Sequence, residues 1–352
     1  MKLKFLIKKK GAPQNSLNHY QKQVVNEIAD AIKNEKLQLF QNKCMCGNSH
    51  DDKDLLITET DCWGIPIGQV LCSRCGLIRN KYIFSSESNV LFYENYYRRL
   101  YNSDTNIDYN YFAGQKNRGA TFVKLLEDIS IINSIDNVVE FGCGAGGILL
   151  PFAELGKKVT GVDLNNGFME LGIKSGLNLI AGQFKDIVDD NSCDLVILSH
   201  VLEHFADPIS QIAVIVSKIK LNKYLLVQIP GLFSNPKPNY PLSGFQVAHV
   251  FYFYKDWLSV LFKTFGLKVL YSDEVCTFIC QKVCEDIPDV QYVYDESLAD
   301  YPVKMLTRII ECKKKYEKEL KQKKKNKIKE KLYIIACHLG WRKIRSYIKR
   351  NG

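Results

Sequence analysis

Long apolar runs are what this 352-residue sequence lacks most clearly. The N-terminal segment MKLKFLIKKKG is basic, but its apolar stretch is only three residues long. A secretory signal contains roughly 7–15 apolar residues, and a bilayer span needs about 20. The N-terminal stretch falls short of the first length and no stretch of the chain approaches the second, so the sequence predicts neither export nor a membrane span. The sequence therefore predicts a cytoplasmic protein.

Histidine is also scarce, with six residues, whereas cysteine is frequent, with 12. Thiols stay reduced in the cytoplasm, so these cysteines are expected to be core residues, metal ligands or nucleophiles rather than disulfides. Hydrophobic residues make up 46% and charged residues 24% of the chain. That balance is typical of folded globular proteins and argues against disorder.

Excess positive charge is missing from most of the chain. Residues 301–350 hold 18 Lys and Arg against four Glu, while the whole chain carries +10, so the remainder is net negative. The tail is predicted to be a basic helix, which suits an anionic membrane surface, a nucleic-acid backbone or docking on its own domain. Six apolar residues could form a stripe along it: Leu332, Ile335, Leu339, Trp341, Ile344 and Ile348.

Strands and helices alternate from residue 137 onward. The apolar strand NVVEFG precedes the helix GGILLPFAELG, and the alternation continues through KKVTGVDL, CDLVILSH and KYLLVQIP. Continuous apolar strands separated by helices indicate a parallel sheet that is covered on both faces. The closing pair LKVLYSD and VCTFICQKV is joined tightly and predicts a hairpin with one antiparallel strand. The predicted fold class is therefore α/β.

The stretch VVEFGCGAGG (138–147) predicts a strand that turns into a helix against a ligand. Glycines let the backbone approach a ligand and direct the free N–H groups of the helix at it. Asp163 ends the next strand, where an acidic side chain suits the hydroxyls of a ribose. These features fit both NAD and S-adenosylmethionine. Glu140 favours the latter, because a carboxylate repels a pyrophosphate and attracts an ammonium and a sulfonium.

Two cysteine pairs predict a metal site near the N-terminus. Cys44 and Cys46 form a C-x-C pair, and Cys72 and Cys75 form a C-x2-C pair, with 25 residues between the two pairs. This spacing is typical of a tetrahedral zinc site, and four thiolates would leave no open position, so the metal would be structural. His50 and Cys62 are alternative ligands nearby. The other interpretation is four reduced thiols in a small core.

The glycine stretch occurs together with VTGVDLN, SHVLEHFADP (199–208) and LLVQIPGLFS. Through these stretches the chain resembles class I S-adenosylmethionine-dependent methyltransferases. Residues 40–285 are similar, more narrowly, to sugar methyltransferases of surface polysaccharide biosynthesis. Those enzymes carry an N-terminal zinc module, an aromatic Tyr-Tyr stretch and an H-x-x-Y-F phrase, matched here by HVFYF (249–253). The resemblance implies a Rossmann-like, seven-stranded, mostly parallel sheet with a small zinc-binding module and a basic helical tail.

Five segments follow from this resemblance. We expect an N-terminal helical segment (1–40), a zinc-binding module (41–85), a helical linker or cap (86–135), the methyltransferase domain (136–290) and the basic helical tail (291–352). The resemblance also implies the cofactor residues: Glu140, Gly142, Cys143, Gly144 and Gly146 at the methionine end, Asp163 and Leu164 at the ribose and adenine, Gln183 at the adenine edge, and Ser199 beside the transferring methyl.

Histidines near the carboxyl edge of the sheet are the candidate catalytic groups. A hydroxyl acceptor benefits from a base that works near neutral pH. We predict His249 as that base, with His200, which would also lie beside the methyl, as the second candidate. Glu203 could orient a histidine or bind a sugar hydroxyl. Sugar C-methyltransferases usually show H-E-H where this chain has VAH (247–249), which favours O-methylation.

The predicted function is methyl transfer to a sugar or sugar-containing precursor in glycan biosynthesis, at the inner face of the membrane if the tail binds anionic lipid. An RNA methyltransferase that binds RNA through the zinc module and the tail is an alternative. The net negative body and SHVLEHFADP, rather than a motif such as N-P-P-Y, argue against a nucleic-acid partner. A non-enzymatic S-adenosylmethionine-binding homologue and a Rossmann dehydrogenase are further alternatives, and the complete cofactor pattern disfavours both.

Overall fold

The computed structural model describes residues 17–48, 53–101, 109–164, 166–232, 244–312, 314–315, 318–319 and 321–327. Its strands are β1 (Leu39–Gln41), β2 (Leu55–Thr58), β3 (Gln69–Leu71), β4 (Ile78–Asn80), β5 (Tyr82–Phe84), β6 (Asn137–Phe141), β7 (Lys158–Asp163), β8 (Asn178–Ala181), β9 (Cys193–Ser199), β10 (Ile219–Gln228), β11 (Phe251–Tyr252), β12 (Leu267–Ser272) and β13 (Thr277–Lys282). Its α-helices are α1 (His19–Lys33), α2 (Ser86–Phe92), α3 (Arg98–Tyr101), α4 (Tyr109–Asp128), α5 (Leu150–Glu154), α6 (Glu170–Lys174), α7 (Phe184–Ile187), α8 (Pro208–Lys218) and α9 (Lys255–Thr264), and a π-helical turn (Tyr93–Tyr97) joins α2 to α3.

The central sheet has seven strands in the order β12-β13-β10-β9-β6-β7-β8. Strands β6 to β10 pair in parallel, whereas β13 runs antiparallel to both β10 and β12. All seven residues of β9 are buried, as expected for an apolar strand covered on both faces. The predicted α/β class, the mostly parallel seven-stranded sheet and the closing hairpin are confirmed.

The order in which strands are added to the sheet switches sides at β6, so that β7 and β8 lie on one side of it and β9 and β10 on the other. Strand β6 pairs with β7 on one side and with β9 on the other. In open α/β sheets such a switch point leaves a crevice at the carboxyl ends of the strands, where ligands bind. The glycine turn after β6 and the histidines after β9 therefore lie at neighbouring strand ends.

A second sheet has four antiparallel strands in the order β11-β4-β3-β2. Strand β11 pairs with β4 through Phe251 opposite Arg79 and Tyr252 opposite Ile78. This short strand belongs to the phrase HVFYF, so a piece of the segment predicted as methyltransferase domain completes the sheet of the cysteine module. The boundaries at residues 85 and 135 remain predictions about domains, and the sheet itself crosses them.

The N-terminal helix packs on the same module. Asn18 caps α1 in a reciprocal pair with Gln21, and the helix buries Val24 and Ile28 among residues that include Trp63. The helix ends at Lys33, whereas the predicted N-terminal helical segment extends to residue 40. A positive φ of 57° at Glu35 turns the chain toward β1.

The start of the basic tail is docked on the body of the protein. Residues 301–312 are helical, and Met305 and Ile309 are buried in the main core. The Tyr301 ring stacks on Tyr254 with 5.1 Å between centroids. The six residues of the predicted apolar stripe lie outside the described residues, so contact of the tail with an anionic membrane stays a prediction. Among the helices described, none combines the length and apolar character needed to cross a membrane.

Candidate functional site

The glycine turn after β6 follows a tight, left-handed path. Gly142, Gly144 and Gly146 have φ values of 73°, 54° and 77°, which residues with a side chain rarely adopt. The Gly144 N–H donates to the Asp163 carboxylate at 2.9 Å, joining the turn to the end of β7. A Cβ on Gly142 would lie 2.5 Å from Val201 Cγ2, so the turn also presses against the segment that follows β9.

Helix α4 covers the turn with side chains that the sequence did not single out. Gln115 Nε2 donates to the Cys143 carbonyl at 3.2 Å, and its Oε1 accepts from the Gly147 N–H at 3.1 Å. A Cβ on Gly119 would lie 2.2 Å from the Ile148 carbonyl, so helix and turn are in direct backbone contact. Gln115 therefore fixes the turn from above.

Glu140 is a carboxylate buried in strand β6. Its side chain is 1% exposed, and Oε2 accepts no hydrogen bond within the described parts of the chain. Burial and the nearby Asp163 carboxylate raise the pKa of Glu140 well above its usual range, and Arg118 opposes them. Arg118 donates to Ser199 Oγ at 3.2 Å. A cation delivered by a ligand would satisfy Glu140, and the ammonium of S-adenosylmethionine has that charge.

The residues predicted for the ribose and adenine lie together at the ends of β7 and β8. Asp163 is paired with Ala181 in the sheet, and the Gly182 N–H donates to the Asp163 carbonyl at 2.9 Å. Leu164 is 67% exposed and Gln183, at the start of α7, is exposed as well. An apolar and an amide side chain are therefore accessible beside the Asp163 carboxylate.

Cys143 differs from its neighbours in the turn. Its side chain is fully buried, and its Sγ would lie 2.8 Å from a Cβ on Gly161 in β7. Its N–H donates to the Val162 carbonyl and its carbonyl accepts from Gln115. Cys143 therefore supports the turn from beneath, and its thiol does not face the crevice.

Ser199 ends β9 and His200 follows with a φ of 57°. This left-handed conformation is uncommon for a residue with a side chain, and such conformations concentrate at functional sites. The His200 N–H donates to the Gln228 carbonyl at the end of β10, which extends the sheet by one residue. The imidazole is 36% exposed at the edge of the crevice.

Glu203 lies at the centre of what we call the histidine cluster: His200, Glu203, His204 and His249. His200 Nδ1 is 3.5 Å and His204 Nε2 is 4.0 Å from Glu203 Oε1. The Glu203 side chain is 2% exposed, and neither carboxylate oxygen has a hydrogen-bond partner among the described residues. The two predicted catalytic histidines, His200 and His249, are thus brought to one carboxylate.

Two backbone and side-chain contacts fix this cluster. The Val250 N–H donates to the Glu203 carbonyl at 2.7 Å, which holds the loop carrying His249 against the loop after β9. The Tyr93 hydroxyl lies 2.9 Å from His204 Nδ1, and the rings of His204 and His249 meet edge to face at 4.9 Å. Tyr93 comes from the aromatic stretch before α3, whose contact with this loop no local sequence pattern indicates.

Burial dominates the acid–base properties of the cluster. It lowers the pKa of His249 to about 3 and also lowers the pKa of His204. Burial alone would raise the pKa of Glu203, but His200 and the other two imidazoles outweigh it, so this pKa is lowered. The cluster therefore couples a buried carboxylate to imidazoles whose charged form burial disfavours.

The four predicted zinc ligands form a second group, the cysteine cluster: Cys44, Cys46, Cys72 and Cys75. Their Sγ atoms lie within 4.8 Å of one another, with separations of 3.5 Å for Cys46–Cys44 and 3.6 Å for Cys46–Cys72 and Cys44–Cys75. Thiolates about 2.3 Å from a zinc ion are about 3.8 Å apart in a tetrahedron, so the donor set fits that metal.

The surroundings of the cysteine cluster suit thiolates. The Arg74 backbone N–H lies 3.4 Å and Asn48 Nδ2 lies 3.5 Å from Cys72 Sγ, and both donate to it. Hydrogen bonds among the four thiols lower the pKa of Cys72 and raise the pKa of Cys44, so in the absence of an ion these contacts favour the thiolate form at Cys72. Of the two alternative ligands, Cys62 packs in a different core group with Trp63, and His50 lies outside the described residues.

Comparison with known proteins adds a family to this geometry. Residues 108–272 match the family model described as a methyltransferase domain. Similar solved structures include a SAM-dependent methyltransferase from Archaeoglobus fulgidus (22% identity, 47% of this chain and 79% of that chain covered, TM-score 0.36) and one from Methanosarcina mazei (20%, 44% and 98%, 0.36). An O-methyltransferase family protein from Burkholderia thailandensis is 13% identical over 56% of this chain and 63% of that chain, with a TM-score of 0.41. No curated protein matches the chain.

The matched segment begins just before α4 and ends with β12, so it contains the glycine turn, Asp163 and most of the central sheet. It also includes Gln115 and Arg118 on the helix that covers the turn. The family match assigns residues 108–272 to a methyltransferase domain, which supports a class I S-adenosylmethionine-dependent methyltransferase enzyme. The predicted enzyme class and S-adenosylmethionine as its cofactor are confirmed, whereas structural zinc stays a prediction.

Proposed function

We propose that this enzyme methylates a hydroxyl group of a sugar or sugar-containing precursor in glycan biosynthesis. The observation that carries the proposal is the position of the histidine cluster relative to the glycine turn. Val201, which follows His200, lies against Gly142 of the turn. An acceptor held by the cluster would therefore lie next to the methionine end of the cofactor, with polar groups that can hydrogen-bond hydroxyls.

The cofactor site is proposed from charges and accessibility. S-adenosylmethionine supplies a methyl group on a positively charged sulfur, which an acceptor oxygen can attack directly. Glu140 would hold the ammonium and Arg118 the carboxylate of its methionine end, around the turn of Gly142, Gly144 and Gly146. Asp163 would bind the ribose hydroxyls, and Leu164 and Gln183 would contact the adenine. Ser199, already paired with Arg118, would lie beside the methyl group.

His200 is proposed as the base that accepts the hydroxyl proton. Its Nδ1 faces Glu203 at 3.5 Å, which would orient the ring and leave the other nitrogen on the accessible side. His249 is the more enclosed of the two, with a rim of Val247, Ala248 and Val250 that are all buried. We therefore propose His200, rather than His249, as the first candidate for the base. His249 would instead support the loop that borders the acceptor site.

O-methylation is favoured over C-methylation. A hydroxyl has to lose only one moderately acidic proton, whereas a carbon nucleophile needs a stronger base to form a carbanion. Ala248 stands next to His249 where sugar C-methyltransferases usually have a carboxylate. The cysteine cluster is proposed to hold structural zinc, because four thiolates fill the coordination of the ion.

Methyl transfer from labelled S-adenosylmethionine tests this proposal. The full chain is incubated with a panel of nucleotide-linked sugars and, separately, with total RNA. We expect label in a sugar nucleotide, none in RNA, and loss of the label with His200→Ala. His19→Ala is the matched control, because His19 is exposed on α1, away from the cluster. Transfer to RNA, with none to any sugar, would support the RNA methyltransferase alternative instead.

A further inference from the structure

We infer that Glu203, His204 and His249 form a binding site for a divalent transition-metal ion, separate from the cysteine cluster. One carboxylate oxygen and one ring nitrogen from each histidine all lie within 4.8 Å of one another. Donors around an ion at about 2.0–2.2 Å are roughly 3–3.5 Å apart, so small side-chain rotations bring the three groups onto one ion.

The charge of the site calls for a cation. Glu203 is 2% exposed, and both of its oxygens lack hydrogen-bond donors in the described part of the chain. Its ion-pair neighbours within 4.0 Å there are the imidazoles of His200 and His204, with no Lys or Arg among them. A buried carboxylate whose oxygens accept no hydrogen bond is unfavourable, and a cation bound to those oxygens offsets this cost.

The orientation of His204 matches that of a metal ligand. Its Nδ1 lies 2.9 Å from the Tyr93 hydroxyl, and its Nε2 faces Glu203. Histidines that bind metals commonly donate their other ring N–H to an oxygen, which fixes the tautomer and the ring direction. Tyr93 occupies that supporting position here.

A backbone hydrogen bond keeps the proposed ligands close together, although they are far apart in sequence. Glu203 and His204 share a short 3-10 turn (Leu202–His204) after β9, and His249 precedes β11. The hydrogen bond from the Val250 N–H to the Glu203 carbonyl connects the two segments directly. The three donors therefore come from two loops that the main chain itself ties together.

Two imidazoles and one carboxylate select the class of ion. This set suits Zn²⁺, Co²⁺ or Mn²⁺ rather than Mg²⁺, and it leaves coordination positions open. An open position can bind an acceptor oxygen and increase its acidity. That role rests on the proposed function, whereas binding of the ion does not.

Titration with Co²⁺ alone of the full chain, prepared with a single equivalent of zinc that occupies the cysteine cluster, tests the site. Cobalt bound by thiolates gives strong sulfur-to-metal charge-transfer bands, which separates the cysteine cluster from nitrogen and oxygen ligands. We expect one equivalent of Co²⁺ to bind without those bands. His249→Ala and Glu203→Gln should weaken binding by more than 100-fold, and His19→Ala should leave it unchanged.

The substitutions at His249 and Glu203 could weaken binding by disturbing the fold, so Tyr93→Phe serves as a milder variant. It keeps the ring and removes only the hydroxyl that contacts His204. Loss of such a supporting group typically weakens metal binding about 10–100-fold, which is the expected result here. Absence of Co²⁺ binding outside the cysteine cluster, or binding that His249→Ala does not alter, would overturn the inference. Methyl transfer is not measured, so failure of the sugar proposal alone leaves this outcome unaffected.

Discussion

The cysteine cluster and the histidine cluster both bring together side chains of types that ligate metal ions, and they differ in what surrounds them. The four thiols come from the connection between β1 and β2 and the connection between β3 and β4, and all four side chains are buried. The histidine cluster lies at the carboxyl edge of the central sheet, where His200 is 36% exposed. The first arrangement would enclose an ion and stabilise the module, as proposed above, whereas the second is open to the crevice.

The donors themselves point to the same division. Four thiolates complete a tetrahedron and leave no position for chemistry. Glu203 with His204 and His249 supplies three donors of a different kind, next to the cofactor turn. The two clusters thus differ in the number of ligands and in their distance from the carboxyl ends of the central strands. Mutations in the cysteine cluster should therefore affect stability, and mutations in the histidine cluster should affect catalysis.

Removal of one thiolate should have the largest effect. Cys72→Ala leaves three ligands in a module whose folding is coupled to zinc, and structural zinc sites contribute about 10–16 kcal/mol of apparent binding free energy. We expect loss of zinc and unfolding of the module, measured by metal analysis and circular dichroism. Cys312→Ala, in the helix of the tail, is the control and should retain zinc. Full zinc content in Cys72→Ala would contradict the assignment.

Removal of the proposed base should affect catalysis and leave stability intact. General-base catalysis contributes roughly 10²–10⁴-fold, so His200→Ala should lower kcat by about that factor. The melting temperature should change little, because His200 is partly exposed. An unchanged kcat would transfer the role of base to another group, and a collapse of the melting temperature would show that the histidine cluster is structural after all.

A buried ion pair beneath the cysteine cluster should matter for stability alone. Arg79 Nη2 lies 2.7 Å from Asp54 Oδ2, both side chains are almost fully buried, and Arg79 also donates to the Asn42 carbonyl. Breaking a buried pair by removal of one partner costs about 3–5 kcal/mol. We expect Arg79→Ala to lower the free energy of unfolding by this amount in urea denaturation. Binding of S-adenosylmethionine by the remaining folded protein should be unaffected.

The smallest effect is expected at the helix that covers the cofactor turn. Gln115→Ala leaves the Gly147 N–H and the Cys143 carbonyl without partners, and each buried unsatisfied group costs about 1–3 kcal/mol. The turn should loosen, which weakens cofactor binding without touching either cluster. Calorimetry on Gln115→Ala and the exposed-helix control Asn117→Ala should show weaker binding only for the former. Equal affinities would mean that the turn holds its shape without the helix.

Much of the central sheet follows from local patterns in the sequence. Strand β9 is a continuous apolar run, and the glycines at 142, 144 and 146 are required by their positive φ values. The hairpin of β12 and β13 follows from the short connection between two apolar segments. These features depend on neighbours in sequence, so periodicity and turn chemistry are sufficient to predict them.

Contacts between distant segments could not be predicted in this way. Strand β11 has two residues, too few for any periodicity, and its partner β4 lies far earlier in the chain. Gln115 and Arg118 occupy polar positions of α4, whereas the sequence pattern identifies only the apolar face of that helix. Tyr93 reaches His204 through packing of the aromatic stretch. Each of these contacts depends on tertiary structure that a single sequence does not display.

Calorimetry with the cofactor tests the central claim most directly. We predict that S-adenosylmethionine and its demethylated product bind at one site per chain, that Asp163→Asn weakens binding by at least tenfold, and that NADH does not bind. The Asp163 side chain would hold the ribose and already accepts from the Gly144 N–H at 2.9 Å, so its loss should affect both the cofactor and the turn. Tight NADH binding, with no binding of S-adenosylmethionine, would contradict the account.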